Sequence, residues 1–165
     1  MEMTEYIKQY YHSERSMALL AAAIGLAFLI IAWVAFRQPG SGQLYRGLTY
    51  TLVVSGLLFL SGLGALLQSD KKMEEVSNYT QSNRELQVSE LQRIEKVLAT
   101  GYRISTILAS IAVLAGVVLL LFNSGNLHRG IGLGILLFGT ALHALDFFSI
   151  NKHKIYYESI KALKL

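Results

Sequence analysis

Four long stretches of this chain are apolar and almost free of charge, and short polar segments separate them. Ser16 to Phe36 lies between Arg15 and Arg37, and Gly47 to Ser69 lies between Arg46 and Asp70. Ile104 to Leu127 lies between Arg103 and His128-Arg129, and Gly130 to Asn151 precedes Lys152. Only His143 and Asp146 interrupt the last stretch as ionisable groups. About 20 helical residues cross the hydrocarbon core of a bilayer, and each stretch has that length. Inside lipid every backbone N–H and C=O must be paired within its own segment, so the pattern predicts α-helices. The expected fold is an all-α integral membrane protein with spans at about 17–36, 47–69, 104–124 and 130–151.

Outside these stretches the period changes. Met3, Ile7, Tyr10 and Tyr11 form an amphipathic stripe before the first span. Leu91, Ile94 and Leu98 form another, with Glu90, Arg93, Glu95 and Lys96 around them, and Tyr156, Ile160 and Leu163 form a third after the last span. Ser82-Asn83-Arg84-Glu85 has the form of a capping box at the start of a connecting helix over 82–101. The polar segment from Ser77 to Asn83 predicts a break before it. The three stripes are expected to lie on the membrane interface or on each other, with docking of a partner helix as the alternative.

Self-comparison adds an internal repeat. At an offset of 88, Lys8 falls on Lys96 and Arg15 on Arg103; past the first outside loop the offset becomes 83. There Arg46-Gly47-Leu48 falls on Arg129-Gly130-Ile131, Gly56 on Gly139, Lys71 on Lys154 and Glu75 on Glu158. The expected organisation is one membrane domain over 1–165, made of two tandem helical hairpins (unit one 1–79, unit two 90–165) with cytoplasmic amphipathic extensions. Both units enter from the same side, which makes the repeat parallel and not inverted.

Charge sets the orientation. Of 15 Lys and Arg, only Arg37, Arg46 and Arg129 fall on one side of the spans and the other 12 on the opposite side. The rule that basic loops stay inside therefore places both termini and the middle segment in the cytoplasm, with a bacterial inner membrane as the expected compartment. A pI near 9.3 follows from these flanking charges, so no nucleic-acid partner is expected. No cleavable signal peptide is apparent. The absence of cysteine excludes disulfides, thiolate nucleophiles and thiolate metal sites. The four histidines (His12, His128, His143, His153) show no helical metal-clamp spacing, and no metal or cofactor is expected.

Few residues carry candidate chemistry. Asp146 is the one carboxylate inside a predicted span, about 9 Å from its cytoplasmic end at 1.5 Å per residue, and His143 shares its helix face. Such a pair is read either as a proton or cation relay or toxin contact, or as an acid paired with Arg15 or Arg103 of a neighbouring span. The residue matching Asp146 in unit one is Leu63. Arg46 and Arg129 are expected to anchor the outside corners in the phosphate region, each followed by a glycine easing helix entry. Gly130-x-x-x-Gly134, Ala21-x-x-x-Gly25, Ala112-x-x-x-Gly116 and Ser61-x-x-x-Ala65 are small-residue pairs for intramolecular packing or for contact with a partner or a second copy. The Asn78-Tyr79-Thr80 sequon falls on the cytoplasmic side, where it would not be glycosylated.

No Ser/His/Asp set, paired acids, HExxH or phosphate loop can be assembled, so the expected function is non-catalytic. The plan resembles that of small polytopic immunity proteins of pore-forming toxins in architecture: four spans, short loops and no enzyme motif. The resemblance implies contact with a membrane-inserting toxin and carries no residue over. A small oligomeric transporter or channel and an accessory subunit of a larger membrane complex are the alternatives.

Overall fold

The computed structural model describes residues 3–38, 42–77 and 83–163. Its elements are α1 (Met3–Phe36), α2 (Gln43–Ser61), α3 (Gly64–Ser77), α4 (Asn83–Lys96), a π-helical turn (Val97–Gly101), α5 (Tyr102–Phe122) and α6 (Asn126–Ala162). No strand occurs among the described residues. Four helical stretches are long and apolar enough to cross a membrane: Thr4–Phe36, Gln43–Ser61, Arg84–Phe122 and Asn126–Ala162. The chain is an all-α, multi-pass membrane protein. Ser82 of the capping box and the whole sequon lie outside the described residues.

Helix lengths show where the chain leaves the bilayer. The 34 residues of α1 span about 51 Å and the 37 of α6 about 55 Å, against a hydrocarbon core of about 30 Å. The charged ends of both helices therefore project from one face. There the three amphipathic stripes pack on each other. Ile7, Tyr10 and Tyr11 of α1, Val76 of α3, Leu86 and Ile94 of α4, and Tyr156 and Ile160 of α6 form a buried core. Gln87 of α4 closes this bundle, its amide donating to the carbonyls of Ile160 (2.7 Å) and Leu163 (2.9 Å) at the end of α6.

Within the spans α2 and α6 are central. Each packs on the other, α1 lies against α2, and α5 lies against α6. A second core fills the α1–α2–α6 side, with Phe28, Ala32, Leu52, Phe59 and Leu145 buried and Phe138 against them. Phe59 stands edge-on to Phe28 at 5.7 Å between ring centres and tilted against Phe138 at 5.5 Å.

The small residues lie at these helix crossings. The Gly25 and Gly56 backbones pack so closely that a Cβ on Gly25 would come within 2.8 Å of the Gly56 carbonyl oxygen. Gly116 of α5 meets the Gly132 carbonyl of α6, and Gly134 of α6 meets Thr51 of α2. Gly47 and Gly130, at the two Arg-Gly corners, face each other's helices: Gly47 against Leu127 and Ile131, Gly130 against Leu44 and Leu48. Their lack of a side chain permits the α2–α6 crossing, a stronger demand than eased helix entry. Ala21 and Ala112 are half-buried, and the side chain of Ala65 lies outside what is described.

One expected span is not continuous. The second span, read as 47–69, stops at Ser61, and the chain turns at Gly62 and Leu63 before α3 begins. The Gly62 N–H donates to the Phe59 carbonyl (3.2 Å) and the Leu63 N–H to Leu60 (2.9 Å), which tightens the last turn. Apolarity alone cannot reveal such a stop, because Gly62 and Gly64 are as compatible with lipid as with a turn. Beyond it α3 lies along α1.

Candidate functional site

Where α1, α4, α5 and α6 meet on the charged face, their stripes carry a polar network inside the apolar core. Glu90 of α4 is buried and accepts from the Tyr11 hydroxyl (3.2 Å), the Tyr156 hydroxyl (3.3 Å) and Arg93 (3.0 Å). The Arg93 guanidinium also lies 3.8 Å from Glu14 of α1 and over the Tyr11 ring at 5.0 Å. Glu14 accepts a short bond from Tyr10 (2.5 Å) and stands 3.3 Å from His153 Nε2. On its other side His153 Nδ1 faces the Ser149 carbonyl (2.8 Å) and the Tyr102 hydroxyl (2.9 Å). His153 thus bridges Glu14 of α1 to Tyr102 of α5, and Arg93 joins Glu14 to Glu90. The Tyr10 and Tyr156 rings stack at 3.7 Å across this network.

Burial and charge act oppositely on these groups. Burial alone would raise the Glu14 carboxyl, but hydrogen bonds from His153 and Tyr10 and the Arg93 charge hold it below the usual carboxylate range. Burial works against the Arg93 cation, yet the Glu90 carboxylate beside it raises its pKa. Burial pushes the Tyr10, Tyr11 and Tyr156 phenols well up, and that of Tyr102 up to about 12. The phenols therefore stay protonated donors.

The π-helical turn introduces Tyr102, whose N–H donates back to the Val97 carbonyl. Such single-turn insertions recur at functional sites because they re-aim the next side chains. Against this corner α1, α3 and α6 line a cavity of about 590 Å³. Its inner wall is Met17, Ala18 and Ala21 at the start of span one, and its outer rim carries Lys71, Lys72 and Lys152.

A second polar spot lies inside the bilayer. Asp146 of α6 is buried, and its Oδ2 has no hydrogen-bond partner. Its polar neighbours are Ser105 of α5 and His143, and His143 Nε2 lies 3.2 Å from the Ser110 hydroxyl. Neither expected cation pairs with it. Arg15 stands 3.8 Å from Asp70 at the end of α3, and exposed Arg103 forms no ion pair among the described residues. The turn at Leu63 explains this for Arg15, since it brings α3 with Asp70 alongside α1. At the opposite end Arg129 donates to the Asn123 carbonyl (2.9 Å), and the Arg46 side chain is exposed. Among the described residues no three His, Cys, Asp or Glu side chains converge on a metal geometry.

The network escaped the sequence, where Glu90 and Arg93 stand only as charges around the Leu91, Ile94 and Leu98 stripe. The signal present was three-residue spacing on each stripe: Tyr11 with Glu14, Glu90 with Arg93, His153 with Tyr156. Comparison with protein-family models, with curated proteins and with solved structures finds no match to this chain.

Proposed function

We propose that this protein works without catalysis, by contact between its membrane helices and those of another protein, in the manner of an immunity protein that neutralises a membrane-inserting toxin. One observation carries this reading. Gly25, Gly116, Gly130 and Gly134 are taken up by helix crossings inside the molecule, and α5 is left packed along a single edge, burying only Ala109 and Gly116. Its outer face presents Ile104, Ile107, Ile111, Leu114, Val118 and Leu121, all exposed and spaced alternately three and four residues apart. That is the spacing of a helix–helix seam, in which large aliphatic side chains insert between those of a facing helix. The partner this face fits is an apolar transmembrane helix.

The two-hairpin duplication belongs to the same reading and draws support from the reciprocal contacts of Gly47 and Gly130, whose partners are related by the same offset of 83 as the glycines themselves. A bacterial inner membrane with both termini in the cytoplasm is the setting proposed, on the charge bias.

Co-expression with a membrane-inserting toxin from the same gene neighbourhood tests the proposal. The triple variant Ile107→Ala, Ile111→Ala, Leu114→Ala should lose protection while remaining folded, because none of the three packs inside the molecule. Undiminished protection by that variant removes the α5 face as the contact. The unpartnered Oδ2 of Asp146 favours a second reading, a proton or cation pathway, in which Asp146→Asn alone stops function.

A further inference from the structure

We infer that the cavity between α1, α3 and α6 is a binding site for the phosphate head group of an anionic phospholipid from the leaflet on the side of the termini. Its volume of about 590 Å³ falls within the range of roughly 300–1,000 Å³ common for small-molecule sites. The wall is divided by chemistry. Met17, Ala18 and Ala21 line the part nearest the bilayer, whereas Lys71 and Lys152 stand on facing elements at the rim.

The charge left over in this cavity is positive. Of its two carboxylates, Glu14 is held by Arg93, His153 and Tyr10, and Glu75 by Lys72. Lys71 and Lys152 have no ion-pair partner among the described residues, and buried Ser69 with Gln68 adds neutral donors beside them. Two free ammonium groups and hydroxyl and amide donors above an apolar wall match a phosphodiester carried on acyl chains. Basic pockets between membrane helices recognise anionic head groups in this way. A soluble phosphate would use the same cations but leave the apolar wall uncovered, which is why the lipid is the occupant inferred.

The test reconstitutes the full chain in vesicles of phosphatidylcholine with phosphatidylglycerol, extracts it gently and weighs the protein with its retained lipid by native mass spectrometry. The wild-type chain should retain phosphatidylglycerol in preference to phosphatidylcholine. The variant Lys71→Gln/Lys152→Gln should reduce that preference about 25-fold, about fivefold for each lysine near the surface. Lys8→Gln/Lys96→Gln, which removes the same charge outside the cavity, should leave it unchanged. Ala21→Leu, which fills the apolar wall and leaves every charge, should also reduce retention, with circular dichroism checking that the helices persist. Equal retention of both lipids, or equal loss in both lysine pairs, overturns the inference. Full displacement of the lipid by inorganic phosphate, with retention insensitive to Ala21→Leu, assigns the site to a soluble anion and also overturns it.

Discussion

Gly47 of α2 and Gly130 of α6 occupy reciprocal places at one helix crossing. A Cβ on Gly47 would collide with the Leu127 carbonyl and the Ile131 nitrogen, and a Cβ on Gly130 with the Leu44 carbonyl and the Leu48 nitrogen. Both obstacles are backbone, which cannot rotate away as a side chain can. Each single change to Ala should therefore destabilise the protein by about 1–3 kcal/mol, and Gly→Leu should abolish the folded state. If a two-fold relation organises the crossing, the two Ala variants should cost the same within about 0.5 kcal/mol. Unfolding in a denaturing detergent measures both, and an inert Gly130→Ala beside a damaging Gly47→Ala would deny the symmetry.

The four membrane helices were legible because lipid imposes one demand on every residue in them: apolar side chains and internally paired backbone. The Arg-Gly corners were visible too, but not their purpose, since nothing in Arg46-Gly47 states which helix will press against the glycine. The stop at Gly62 left no trace in hydropathy. The network around Glu14, Glu90, Arg93 and His153 was hidden for another reason. A buried acid gains from every partner it has, and some of these lie far along the chain: Tyr11 bonds Glu90 across 79 positions. Periodicity sees neighbours on one helix and cannot supply the others.

Arg93→Met should destabilise the protein by about 3–5 kcal/mol, because it leaves the Glu90 carboxylate buried without its cation. The pair variant Glu90→Gln/Arg93→Met should recover most of the loss. A double-mutant cycle by thermal unfolding checks this, and additive effects would mean that the two groups do not depend on each other.

Glu14 gives the fold an acid limit. Its folded pKa is depressed, so its contribution is present at neutral pH and is lost as pH falls through and below the ordinary carboxylate range near about pH 4. Glu14→Gln should be less stable at neutral pH and should flatten the decline on the acid side. A pH series of melting temperatures for both proteins shows the difference, and parallel curves would contradict it.

Asp146→Asn should insert and fold as the wild type does. The carboxylate has no ion-pair partner among the described residues to be left stranded, and the amide keeps the shape of the site. Loss of folded protein on this change, seen by gel filtration in detergent, would show that Asp146 holds the spans together.

The contact reading is tested most directly by measuring protection from the co-expressed toxin for two variants side by side, with membrane abundance matched. Contact through α5 requires that Ile107→Ala/Ile111→Ala/Leu114→Ala abolish protection and that Asp146→Asn keep most of it. Full protection from the α5 variant together with none from Asp146→Asn would contradict it and leave an ion or proton pathway in its place.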